Sequence, residues 1–147
     1  MTTTVKGFEI VSNFKRELDN QSSLTVNSTP ISRQVFEIDG AVKCLLYVKA
    51  RSGHPLRWGV TANVIKRLED QKIPWVVILL FLSHESGYLL LSDEVEYYIK
   101  HVWPLGSDGD YKPSPGRYLS RNHPYNSTAS LMEKMKGNIK CRCWLIE

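Results

Sequence analysis

Lys49 and Arg51 stand two residues apart in the segment KCLLYVKAR, whose composition predicts a β-strand, so the pleat turns both toward one face. Arg57 follows in the loop ARSGHPLRWG, and Lys43 precedes the strand. A cluster of this kind suits phosphate, because each contact releases counterions condensed on a nucleic acid. His54 and Trp58 bring an imidazole and an indole to the same loop, usable for stacking on a base. For Trp58 a core position is the favoured alternative. A second group lies in residues 105–126, where Asp108, Asp110, Tyr111, Lys112, Arg117, Tyr118, Arg121, His123 and Tyr125 interleave aromatics with charges. That pattern fits contact with single-stranded or flipped nucleotides, with Arg117 and Arg121 as its phosphate contacts.

Charge distribution points the same way. Of the 147 residues, 19 are Lys or Arg and 15 are Asp or Glu, a net charge of +4. Residues 40–72 hold seven basic residues against two acids, and residues 112–142 hold seven against Glu133 alone. Between them, residues 84–98 carry four acids and no Lys or Arg. Such alternation gives a polar molecule with one anion-attracting side. Three cysteines, with Cys141 and Cys143 as a C-x-C pair, are too few for a disulfide framework or a cysteine-only zinc site. Reduced thiols and the lack of a secretory leader predict a cytoplasmic protein. The apolar run 75–82 is about half the length of a membrane span, so no membrane association is expected.

The elements that must position these groups follow from periodicity. Ile10, Val11, Phe14 and Leu18 form one stripe of a helix over residues 5–20. Strands follow from residue 24 to 51, with Asp39-Gly40 as the turn of a hairpin. The near-continuous apolar content of 42–50 predicts a central strand covered on both faces. Thr61 is placed to cap a short helix, with Val60 and Ile65 as a staple across the cap. The run 75–82 is a second buried strand, and a turn at 84–87 returns the chain through Tyr88 to Leu91. Asp93 and Glu96 suggest a capping box for a further helix that Pro104 stops. A helical turn over 131–136 and a last strand over 143–146 complete the reading. The expected architecture is α/β: a central mixed five-stranded sheet flanked by helices on both faces. Residues 1–104 form the core domain, and residues 105–147 an irregular basic extension packed on it.

This order resembles the restriction-endonuclease-like, or PD-(D/E)XK, nuclease superfamily. The matching residues are Gly7-Phe8-Glu9 opening the first helix, Leu46-Tyr47-Val48-Lys49 on the central strand, and the run 75–81 after the helix, within residues 5–100. The resemblance implies a lysine that orients water beside carboxylates holding Mg²⁺, which acidifies that water and offsets charge on the phosphate. Carried over, Lys49 matches the lysine and Glu9 the first-helix glutamate, and Glu37 is the nearest acid able to join them as a metal ligand. The motif is degenerate. Tyr47 occupies the carboxylate position two residues before the lysine, and Ser32, Arg33 and Gln34 stand where an aspartate is expected.

Two functions follow as expectations. The first is a nucleic-acid-binding protein, DNA ahead of RNA, with Mg²⁺-dependent endonuclease activity left open and a homodimer or protein partner left open. The second is a non-catalytic protein-interaction module or subunit of a larger assembly, using residues 93–98 and the tail as its contact surface.

Overall fold

The stripe on the first helix has a surface to meet. In the computed structural model, which describes residues 7–20, 24–40, 43–52, 58–81, 83–113 and 124–138, helix α1 (Gly7–Asp19) buries Ile10, Val11, Phe14 and Leu18 against a sheet. The chain continues through β1 (Leu24–Ser28), β2 (Val35–Gly40), β3 (Cys44–Arg51), β4 (Val60–Thr61), α2 (Ala62–Glu69), β5 (Trp75–Phe81), β6 (Gly87–Leu91), α3 (Ser92–His101), β7 (Asp110–Tyr111), β8 (Pro124–Tyr125) and α4 (Thr128–Asn138). The main sheet has six strands in the order β1-β2-β3-β5-β6-β8, and β4 and β7 pair apart from it. β3 and β5 are parallel, joined by a crossover that carries α2; the other main-sheet pairs are antiparallel.

The five expected strands are thus joined by a sixth from the tail. β8 adds to the edge of β6, and α4 sets Leu131, Met132 and Met135 beside α1 on the same face of the sheet. Residues 105–147 are therefore not wholly irregular. The expected final strand over 143–146 and the C-x-C pair lie outside the described residues. No described helix is long and apolar enough to cross a membrane.

Each sheet face has its own core. Alternate residues Phe36, Ile38, Leu46, Val48, Ile78 and Leu80 face α1 and α4. Their neighbours Val35, Leu45, Tyr47, Val77, Leu79 and Leu90 face α2 and α3, meeting Ile65, Leu68, Val95 and Tyr98. β3 and β5 are buried on both sides, which is why their sequences read as apolar runs rather than alternations.

Two helix starts differ from expectation. Thr61 sits at the N-cap of α2 without a side-chain cap bond; the Ala62 N–H is met by the Gly109 carbonyl at 3.1 Å and the Thr61 N–H by the Tyr47 hydroxyl at 3.1 Å. A neighbouring loop carbonyl and a core phenol thus hold the entry to the helix. For α3 the reciprocal bond comes from Glu94, whose Oε1 accepts the Leu91 N–H at 3.0 Å, because the helix begins two residues earlier than the Asp93 and Glu96 pattern suggests. Gly87 permits the tight β5–β6 return: a Cβ there would run into the Leu79 carbonyl. At Gly109 (φ 85°) the space is open and only the backbone favours glycine.

These two glycines separate steric from backbone cost. Gly109→Ala is expected to destabilise by about 1 kcal/mol, the strain of a left-handed alanine. Gly87→Ala is expected to cost more, because backbone must move; urea unfolding of the two variants measures the difference.

Candidate functional site

β2 and β3 are staggered. Their paired residues run from Ile38 opposite Cys44 to Val35 opposite Tyr47, and the ladder is carried one step further by the Val48 N–H bonding to the Gln34 carbonyl at 2.8 Å. Past that point β3 continues as Lys49, Ala50 and Arg51, paired with β5 on one side only. Burial ends at the same place: Cys44 to Val48 are buried, and Lys49 to Arg51 are half-exposed. The strand emerges from its cover as a ledge.

Lys49 stands at the lip. Its Nζ donates to Gln34 Oε1 at 2.9 Å and lies 5.9 Å from the centre of the Tyr47 ring. Burial pushes its pKa below the usual 10.5; the Asp110 carboxylate pulls it back up, and the Lys112 ammonium presses it down further. Tyr47 is fully buried, and that burial raises its phenol, opposed by the bond from Thr61 and reinforced by Asp110. Asp110 arrives on β7, opposite Thr61 of β4, with Gly59 leaving room for its carboxylate: a Cβ at 59 would lie 2.8 Å from Oδ2. Asp108 braces the same loop. It accepts the Asp110 N–H at 3.1 Å and pairs with Lys112 at 2.6 Å, a bond that holds its carboxyl below the usual range.

The expected site residues separate on this frame. Arg51 shares the face and the ledge with Lys49, opposite Phe81. Glu37 shares the face but opposes Leu45, four residues back along β3, roughly 13 Å away at strand rise. Glu9 is exposed on α1, which covers the opposite face of the sheet. The structure therefore does not bring Glu9 and Glu37 together with Lys49. Lys43 is exposed at the other end of β3. Trp58 takes its core alternative: it is 2% exposed, donates from Nε1 to the Leu80 carbonyl at 2.8 Å, and meets Tyr88 edge-on, so it offers no stacking face. His54, Arg57, Arg117 and Arg121 lie outside the described residues.

Two neighbours of Lys49 were not singled out for this role from the sequence. Gln34 stands where the resemblance expects an aspartate, a positional hint that its amide type disguised. Asp110 lies in the charged late loop, and nothing in its spacing linked it to residue 49. The Mg²⁺ implied by the resemblance does not fit these groups: an amide and a neutral buried phenol replace the carboxylates, and Asp110 is the one described acid whose charge bears on Lys49. Among the described residues no three His, Cys, Asp or Glu side chains gather to hold a metal. Cys44 is an inert thiol, pushed up to about 12 by burial. Compared with known protein families, curated proteins and solved structures, the chain finds no match.

Two outcomes check this geometry. Tyr47→Phe strands the Thr61 N–H and is expected to cost about 1–3 kcal/mol in urea unfolding. Lys49 releases its proton earlier folded than unfolded, so the unfolded chain binds more protons between the lowered pKa and 10.5. Stability contributed through Lys49 therefore rises with pH across that window, and Lys49→Met is expected to flatten the rise.

Proposed function

We propose that the protein binds nucleic acid at the ledge formed by the end of β3, on a fold of the restriction-endonuclease-like kind. The order helix α1, hairpin β2–β3 ending in Lys49, helix α2, buried strand β5 supports the fold reading. The observation that carries the function is the state of Lys49. Its ammonium is half-buried and makes no ion pair with any described residue, its hydrogen-bond partner being a neutral amide. A cation that has lost part of its hydration gains most from an incoming anion, and phosphate supplies one. Arg51, two residues on along the same face, extends the contact along a strand of phosphates. DNA is placed ahead of RNA by the resemblance alone. With Gln34 and Tyr47 in the places of metal-holding carboxylates, the site is suited to holding a strand rather than hydrolysing it.

A second reading has its own observation. On α3, Tyr97 is 56% exposed with its ring 4.8 Å from that of His101, and Leu105 nearby in sequence is 58% exposed. Exposed aromatics beside Asp93, Glu94 and Glu96 suit a protein partner. Tyr98, by contrast, is buried and stacks on Trp103.

A gel-shift titration of labelled DNA over a range of salt separates these readings. Lys49→Ala is expected to weaken binding about fivefold and to reduce the salt slope by about one unit, whereas Lys43→Ala at the far end of β3 changes little. If no DNA or RNA is retained at low salt, the proposal fails and the α3 surface becomes the leading candidate. Cleavage with Mg²⁺ or Mn²⁺ that disappears in Asp110→Asn would make the ledge a hydrolytic centre instead.

A further inference from the structure

On the other side of Gln34 lies a cavity of about 520 Å³, lined by Phe8, Val11, Ser12 and Lys15 of α1 and by Ser32, Arg33, Gln34 and Phe36 at the start of β2. Phe8, one of the lining residues, is 66% exposed and presents its phenyl ring to anything that enters. Phe36 forms part of the lining, with the Lys15 ammonium 6.0 Å from its ring centre. Arg33 is exposed at the rim. Among the described residues no acid lines the cavity, and neither Lys15 nor Arg33 makes an ion pair. An accessible phenyl ring and two cations with no ion pair to a described residue suit a ligand with a flat unsaturated body and a negative charge.

We infer that this cavity seats one unpaired nucleotide of a bound strand, its base stacked on the exposed ring of Phe8 above a floor closed by the buried Phe36, and its phosphate on Lys15 and Arg33. The inference deepens the nucleic-acid reading and rests on it. The link is Gln34, which lines the cavity and also holds Lys49, so the pocket and the ledge share a wall. The volume lies within the range of small-molecule sites and exceeds what one base requires. Stacking on an aromatic side chain does not discriminate among bases, so the cavity selects unpaired over paired nucleotides rather than one sequence over another. A base still in a duplex is unavailable to it until unstacked, at a cost the pocket must offset.

The test compares a fluorescein-labelled oligo-dT with a duplex of the same length on the full chain, by anisotropy. Wild-type protein is expected to prefer the single strand. Phe8→Ala, a change at an exposed position that should leave thermal unfolding unaltered, is expected to lower single-strand affinity about tenfold while leaving duplex affinity within twofold. Arg33→Ala and Lys15→Ala should each reduce the salt slope for the single strand by about 0.7, the value for one phosphate. Equal affinity for both forms, or single-strand binding indifferent to Phe8→Ala, overturns the inference while leaving the ledge proposal standing. Loss of all binding at low salt in wild-type protein overturns both. Displacement of oligo-dT by an acidic, phenylalanine-containing peptide as readily as by unlabelled oligo-dT also overturns it, since the cavity would then be a peptide site.

Discussion

Everything distinctive about this molecule depends on the pleat of β3. Five consecutive residues, Cys44 to Val48, are buried, three facing α1 and α4 and two facing α2 and α3. Because side chains alternate strictly, covering both faces leaves no freedom of register: a slip of one residue would exchange Tyr47 and Val48 between two differently shaped cores. That constraint fixes where Lys49 points. It lies on the α2 and α3 face because Tyr47 does, and it reaches solvent because cover ends one residue beyond Val48. Neighbouring strands inherit the same frame, β5 through seven parallel pairs and β2 through four antiparallel ones.

The electrostatics of the ledge follow from who was placed beside that lysine. A carboxylate within bonding distance would neutralise it and close the site to anions. Gln34 instead satisfies a donor and leaves the charge intact. Asp110 exerts attraction from further off, and Lys112, which would reinforce the positive field, is engaged by Asp108. The loop that carries these residues is held by backbone geometry: the Gly106 N–H bonds to the Asp110 carbonyl at 2.8 Å, and Gly109 supplies the left-handed turn. Its carbonyl also caps α2, so the position of Asp110 and the start of that helix are coupled.

Much of this was legible in the sequence, for identifiable reasons. The buried strands β3 and β5 and the stripe on α1 each rest on long runs of apolar periodicity, the strongest signal a chain carries. The β2–β3 hairpin is read from Asp39-Gly40 as its turn, whereas both residues stay in β2, paired with Thr25 and Leu24 of β1. β4, β7 and β8 were not legible, since strands of two residues have no period to detect. The caps of α2 and α3 depend on a loop carbonyl and on a helix start that no local pattern fixed. Trp58 could be read as stacking platform or core, and only the acceptor at Leu80 decided between them. The Lys49–Gln34 contact joins residues fifteen apart across a stagger whose length no sequence rule specifies. The degenerate motif, however, was visible at once, because it is a matter of residue type: Tyr47 and Gln34 cannot act as carboxylates wherever the chain puts them.

The stagger itself explains why two features that look independent occur side by side. β2 stops pairing with β3 at Gln34 while β3 runs on, so the sheet has a notch beside Lys49 and Ala50. The turn that enters β2, residues 32–34, borders this notch, and the start of α1 approaches it from the other face: a Cβ at Gly7 would lie 3.6 Å from the Ala50 carbonyl. With no described strand filling the gap, Ser32, Arg33 and Gln34 line a cavity against α1, and Gln34 extends its amide to the ammonium of Lys49. Extending β2 past Gln34 by two paired residues would draw Ser32 and Arg33 into the ladder opposite Ala50 and Lys49 and away from the cavity they now line. One interruption of strand pairing thus borders both the ledge and the pocket, with Gln34 in contact with each.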